Sequence, residues 1–231
     1  MKTYAFIFAR GGSKGLPGKN IKKLCGKPLL VHSIDMAKSV DAISEIFVST
    51  EDEDIKKVAL DHGAKVILRP DELTTDTSPE IDSWKHAINY LANSGDSFDR
   101  FVSLPTTAPL RSKEDVESAI DLLSNSSDIV VTVSESSRNP FFNLMKFNDE
   151  GYLETFSKEN PVQRRQDAPK CYDLTTVVYV SRPEYVLNTS NLLDGKVSAV
   201  NIPSERGIDI DNEVDFYIAE ALMKRNMNVK K

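Results

Sequence analysis

A rhythm constrains this chain more than any single residue: short apolar runs, each followed by an amphipathic stretch, recur from residue 4 to residue 133. Runs of four to eight apolar residues read as buried strands, and apolar positions three and four apart read as helices. Alternating the two gives mainly parallel strands with covering helices, a three-layer α/β/α fold of Rossmann-like type. The run 4–8 is the first strand. A helix follows over 28–39, opened by Pro28 and carrying Leu29, Leu30, Ile34 and Ala37 at helical spacing. Residues 45–50 form a second strand, and Thr50 with Glu53 has capping-box spacing for a helix over 52–62. A third strand, 65–68, leads through a polar loop, 71–78, to a helix over 79–93. Residues 101–104 make the fourth strand, and Ser112 with Asp115 caps the next helix. The fifth strand, 128–133, is apolar and β-branched nearly throughout, as expected at a sheet centre.

Directly after the first strand come four glycines and four cationic or amide side chains in the dozen residues from Ala9 to Asn20. Glycines let a backbone turn sharply and aim N–H groups at a ligand with no Cβ in the way. Arg10, Lys14 and Lys19 supply charge for an anion such as a polyphosphate. The dinucleotide pattern G-x-G-x-x-G fails here, because Ser13 and Leu16 stand where glycines are needed. The Walker A pattern also fails, since Gly18-Lys19 is followed by Asn20.

At 231 residues, 28% charged and 40% hydrophobic, the chain suits one soluble α/β domain. A formal charge of −6 argues against a bulk nucleic-acid binder and leaves the basic loop for a small anionic substrate. Met1-Lys2-Thr3-Tyr4 runs straight into the first strand, so no signal peptide is expected, and no apolar run approaches membrane-spanning length. Cys25 and Cys171 lie far apart without paired spacing, which predicts free thiols in the cytoplasm and no zinc site.

Past Ser134 the pattern changes. Residues 141–147 and 152–156 flank Asn148-Asp149-Glu150-Gly151 and read as a β-hairpin inside an insertion spanning 138–172. Strands return at 173–180 and 197–202, a last helix covers 212–225, and 226–231 is a polar tail. Between them stands Gly207-Ile208-Asp209-Ile210-Asp211, read as the end of a late strand. Alternation at period two puts both carboxylates on one face, a hard oxygen site suited to Mg²⁺. Asp211 reads equally as the N-cap of the final helix. His32, His62 and His86 fall within helices, far apart in sequence, and read as structural.

These motifs together resemble the sugar nucleotidyltransferases, specifically the acylneuraminate cytidylyltransferase (CMP-sialic acid synthetase) family, including its legionaminate and pseudaminate branch. The opening loop matches A-R-x-x-S-K-G-L-P-x-K-N. Val48 to Glu51, Leu68 to Pro70 and Leu104 to Arg111 resemble V-S-T-D, L-R-P and L-Q-P-T-S-P-L-R in the same order, and residues 208–211 match I-D-I-D.

The resemblance implies a nucleotidyltransferase fold, CTP and a 2-keto-3-deoxy sugar acid as substrates, CMP-sugar and pyrophosphate as products, and Mg²⁺ on Asp209 and Asp211. It implies that Arg10, Lys19, Asp209 and Asp211 carry the reaction. Ala9, Arg10, Gly11, Gly12, Ser13, Lys14, Asn20, Arg69, Thr77 and Thr106 would line the nucleotide. Pro105, Arg165, Gln166, Thr175 and Tyr179 would face the sugar acid. A solvated Arg164-Arg165 pair and a core Tyr179 are the bland alternatives.

The resemblance also implies that the insertion packs against a second copy in a homodimer. The Phe141-Phe142 pair, expected to be exposed, fits that burial or a local hydrophobic staple. Departures gather toward the sugar: Pro105 replaces a glutamine, Phe142 a lysine, and Thr175 to Tyr179 replaces N-G-A-I-Y. Activation of 3-deoxy-manno-octulosonate is the alternative substrate, and a non-catalytic nucleotide-binding domain the alternative class.

Overall fold

A computed structural model describes residues 1–75, 77–158 and 162–229, with the side chain of Val229 omitted. Asp76 of the polar loop, residues 159–161 of the insertion and the tail's Lys230 and Lys231 lie outside the described residues. In order, the elements are β1 (Thr3–Phe8), β2 (Lys23–Leu24), β3 (Lys27–Pro28), α1 (Leu29–Ser39), β4 (Ile43–Thr50), α2 (Glu53–Asp61), β5 (Lys65–Leu68), α3 (Glu80–Asn93), β6 (Arg100–Ser103), α4 (Lys113–Leu122), β7 (Ile129–Glu135), β8 (Met145–Phe147), β9 (Leu153–Thr155), β10 (Tyr172–Ser181), α5 (Pro183–Asn188), β11 (Val197–Asn201) and α6 (Glu213–Val229). The sheet is seven-stranded, ordered β11-β7-β10-β6-β1-β4-β5. All neighbours pair in parallel except β10, which runs antiparallel to both β6 and β7.

Strand alternation divides the core between two faces. Ala5 and Ile7 of β1 pack with Leu30 and Ile34 of α1, Ile55 and Ala59 of α2, and Val116 and Ile120 of α4. Tyr4 and Phe6 point the other way, toward Ile81, Trp84 and Ile88 of α3 and Val186 of α5. The second face is aromatic: Phe6 stacks on Phe101 at 4.6 Å, and Trp84 tilts onto Phe101 at 5.0 Å. A third cluster lies beyond the sheet, where Leu16 of the opening loop meets Leu24, Leu29, Leu110, Ile210 and Phe216, Ala219 and Met223 of α6. It binds the glycine-rich loop to the Ile208–Asp211 stretch.

Four local expectations are corrected. The cap of α2 is Asp52, which accepts from Ile55 N at 2.9 Å, while the Thr50 hydroxyl accepts from Asp52 N; the acidic residue nearest the first turn outcompetes the spaced pair. The fifth strand, β7, is second from an edge, because only β11 lies outside it and the remaining strands all stack on its other side. Phe141 and Phe142 are half-buried in a turn held by Asn139, and the exposed apolar groups are Phe147, Tyr152, Leu153 and Phe156 on and beside the β8–β9 hairpin. Residues 207–211 form no strand: no neighbouring strand pairs with them, and the stretch is an extended loop anchored by single bonds. The Ser112–Asp115 capping box is present in both directions.

Candidate active site

The glycine-rich loop leaves β1 at the carboxyl edge of the parallel strands, where open α/β sheets place their ligand crevice. Buried Ala9, just past β1, still bonds to the neighbouring strand, its N–H donating to Ser49 O at 3.0 Å. Past it, Gly11 N donates to the Glu51 carboxylate at 2.7 Å. A Cβ on Gly11 would stand 2.4 Å from Asp52 Oδ2, so any side chain there has to displace that carboxylate. Gly12 and Lys14 are exposed, and Ser13 N turns back onto Gly11 O at 3.0 Å.

Gly18, at φ 65°, reverses the chain into a short 3-10 turn over Lys19–Ile21. That turn buries Asn20, whose amide donates to Arg10 O at 2.9 Å and accepts from the Thr106 hydroxyl at 2.6 Å. One side chain therefore ties the start of the loop to the end of β6.

Lys19 makes the second tie. It is buried, and its ammonium donates to Ile210 O at 2.5 Å and lies 3.6 Å from Asp211 Oδ1. Ile210 is fully buried in the third cluster, and its N–H donates to Thr107 O at 2.8 Å. A Cβ on Gly15 would lie 2.2 Å from Asp211 O, so the loop is pressed against this stretch along its backbone.

Around the Ile210 anchor the two carboxylates differ. Asp211 is exposed, whereas Asp209 Oδ1 is buried with no hydrogen-bond partner among the described residues. Asp211 does not cap α6. Asn212 does, accepting from Val214 N and Asp215 N at 2.9 and 3.1 Å. Asp209 and Asp211 thus keep oxygens available to a hard cation, and an orphaned buried carboxylate oxygen fits that donor set.

Beside the loop is a recess of about 240 Å³ lined by Phe8, Arg10, Arg69, Leu73, Thr75, Ser78, Glu80 and Ser83. Arg10 reaches across it to Thr74 O at 3.2 Å. Arg69 is buried, donates to the hydroxyl and carbonyl of Ser49 at 3.2 and 2.9 Å, and lies over the Phe8 ring. Burial lowers its pKa. Glu80 is exposed where it opens onto the recess, yet desolvation raises its carboxyl pKa; the Trp84 hydrogen bond and Arg69 oppose the rise, and nearby Asp209 adds to it. Tyr179 is buried with its ring edge on Trp84 at 5.6 Å, and burial, then Glu80 and Asp209, raise its phenol pKa. Thr77 is exposed at 3.3 Å from the Thr75 hydroxyl, outside the recess lining.

Of the sugar-facing set, the structure does not bring all members together. Pro105 contributes its carbonyl to Ser33 and to the buried Arg111. Thr175 is buried in β10, its hydroxyl donating to Thr132 at 2.8 Å. Arg165 and Gln166 line a separate recess with Glu135, Asn139, Lys170 and Cys171, while Arg164 pairs locally with Asp167. His32 and His62 bond backbone carbonyls at 3.0 and 2.9 Å, in keeping with structural roles.

Comparison with known proteins decides the family. Residues 4–198 match the cytidylyltransferase family. The chain belongs to it. It is therefore a nucleotidyltransferase. A CMP-N,N'-diacetyllegionaminic acid synthase of Legionella pneumophila is 32% identical, covering 98% of both chains. An N-acylneuraminate cytidylyltransferase of Streptococcus agalactiae is 33% identical over 94% of this chain, which spans 52% of that protein's length. A solved CMP:2-keto-3-deoxy-manno-octonic acid synthetase in complex with CTP superposes at a TM-score of 0.73 over 98% of this chain and 100% of its own, at 18% identity. That likeness shows the shared fold.

Two acidic residues beside the loop stand outside the phosphate, metal and sugar roles read from sequence: Glu51, which the V-S-T-D resemblance put at the end of a strand without a role and which holds Gly11, and Glu80, in the recess. Neither is a basic or glycine residue of the kind that marks a phosphate loop. Glu80 carries no such mark in the sequence, and its tie to Trp84 one helical turn on, at 3.3 Å, is seen only in the structure.

Proposed function

We propose that this cytidylyltransferase activates a nonulosonic, sialic-acid-like sugar: CTP and the 2-keto-3-deoxy sugar acid give the CMP-sugar and pyrophosphate. The observation that carries the reading is the Lys19–Ile210 tie, which seats the cationic loop directly against the Asp209–Asp211 stretch. The anomeric 2-hydroxyl attacks the α-phosphorus in line and gives up its proton to solvent, a new P–O bond forms, and the bond to the bridging α–β oxygen breaks as pyrophosphate leaves. Such transfers need positioning and charge neutralisation more than covalent help. Arg10, Lys14 and Lys19 neutralise the triphosphate, and the glycine backbone leaves room for it. Asp209 and Asp211 would hold Mg²⁺, which supplies further neutralisation of the phosphate oxygens when bound.

Near end-to-end likeness to a diacetyllegionaminate-activating relative supports a di-N-acyl nonulosonate as the sugar. So does Pro105, which removes an amide from the edge of the cleft and with it a partner for a substrate hydroxyl. Pyrophosphate release measured with CTP and a panel of sugar acids tests both. Higher kcat/KM for a di-N-acyl nonulosonate than for N-acetylneuraminate is expected; preference for N-acetylneuraminate or for 3-deoxy-manno-octulosonate would overturn the assignment of the sugar.

The exposed apolar groups of the β8–β9 hairpin support a homodimer in which this arm is covered by a second copy. Light scattering that returns a monomer mass would remove that part. No helix of the described residues is long and apolar enough to cross a membrane. The reading places the protein in the cytoplasm, where CTP is supplied and free cysteines stay reduced.

A further inference from the structure

The recess beside the glycine-rich loop holds one acidic side chain that the phosphate loop and the Asp209–Asp211 stretch leave unexplained. Glu80, the first residue of α3, lines it with Arg10, Arg69, Thr75 and Ser78. Its Oε1 accepts from Nε1 of the fully buried Trp84 at 3.3 Å, which sets the carboxyl against the recess wall. A carboxylate here is electrostatically adverse to a polyanionic substrate, even with two guanidiniums alongside. It is favourable only toward the neutral end of a nucleotide. There the hydrogen-bond donors are the exocyclic amine of cytosine and the hydroxyls of ribose. An ionised carboxylate only accepts, and acidic side chains read both groups elsewhere: the cytosine N4 amine in base recognition and ribose hydroxyls in nucleotide-binding folds. A volume of about 240 Å³ accommodates a nucleoside moiety with the phosphates outside, toward Lys14 and Lys19.

We propose that Glu80 is a specificity-determining residue that accepts a hydrogen bond from a donor of the nucleoside and so selects nucleotides carrying that donor. The inference rests on the cytidylyltransferase reading and adds to it the residue that reads the nucleoside. The amine and the hydroxyls present the same chemistry, and the arms of the test separate them.

The test compares the full-length protein with Glu80→Gln and Glu80→Ala. The glutamine keeps the volume and an acceptor for Trp84 while removing the charge and adding a donor. Calorimetric binding in Mg²⁺ and kcat/KM with a competent sugar acid are measured for CTP, UTP, 2′-deoxy-CTP and 3′-deoxy-CTP. At least one discrimination ratio, CTP to UTP for the amine or CTP to a deoxy analogue for a hydroxyl, should fall about tenfold or more in Glu80→Gln, with an unchanged melting temperature. A purely structural Glu80 would move stability and leave the ratios alone. CTP binding by the wild type with all three ratios unchanged in Glu80→Gln overturns this proposal alone. Wild-type protein that binds no CTP overturns the parent reading and this proposal with it. Should Glu80→Ala fail to fold, the glutamine variant decides by itself.

Discussion

Lys19→Ala separates the two duties that the structure gives one side chain. The residue is 8% exposed, and its ammonium lies 2.5 Å from Ile210 O and 3.6 Å from Asp211 Oδ1. Truncation removes a hydrogen bond from a charged, buried donor, about 1.5–3 kcal/mol. The ion pair adds little, because the Asp211 side chain is 75% exposed and screened by water. For a chain of this size that lowers the melting temperature by about 3–12 °C. On catalysis, an ammonium about 4 Å from a phosphate charge is worth up to about 4 kcal/mol at an effective dielectric near 20. The part felt only as charge builds on the leaving pyrophosphate lowers kcat, here on the order of 10²-fold. Thermal melts and steady-state pyrophosphate release read the two effects separately. A variant that melts like wild type would refute the tie to Ile210. A variant with unchanged kcat and a raised KM for CTP would make Lys19 a ground-state contact and the transition-state argument wrong.

Asp209→Asn should show opposite signs in the two assays: kcat lower by on the order of 10²-fold or more, and a melting temperature unchanged or raised, because a buried carboxylate oxygen without a partner is neutralised. Near-normal turnover at saturating Mg²⁺ would remove Asp209 from the mechanism. Gly15→Ala places a Cβ 2.2 Å from the Asp211 carbonyl and should depress both stability and activity, whereas Gly12→Ala, which meets nothing within 4 Å, should melt normally; equal melts for the two would contradict the packed loop. Tyr4 tests the linkage to pH. Burial and the Asp96 carboxylate push its phenol up to about 12, so between pH 10 and 12 the folded chain keeps a proton that the unfolded chain has released, and stability falls as pH rises through that window. In Tyr4→Phe that decline should vanish from urea-unfolding curves, and an identical decline in the variant would assign it elsewhere.

Much of this was legible in the chain because strands and helices repeat at fixed periods. The β5 strand, the Ser112–Asp115 cap and the loop's position after β1 all follow from spacing. Strand order does not: β10 enters the sheet between β6 and β7 through a long return, so nothing local in 128–133 marks it as second from an edge. The Ile208–Asp211 stretch misled for a related reason. Period-two alternation records an extended backbone, and here Thr107 O and the Lys19 ammonium take the bonds that a partner strand would have taken. At the site, Arg10, Lys19, Asn20 and Arg69 were visible as charge and amide clustered near glycines and strand ends. Glu51 was visible only as the end of a strand motif, with no role, and Glu80 was not visible at all, since an acid in an anion cleft is meaningful only once its neighbours are known.

The central claim, transfer of CMP to a nonulosonic acid, is tested most directly by ³¹P NMR of the protein with CTP, MgCl₂ and a di-N-acyl nonulosonic acid. The account predicts that the three CTP resonances decline together while a single phosphodiester resonance and free pyrophosphate grow in equal amounts. Unchanged CTP, or CTP converted to CMP or CDP with no phosphodiester formed, would contradict it.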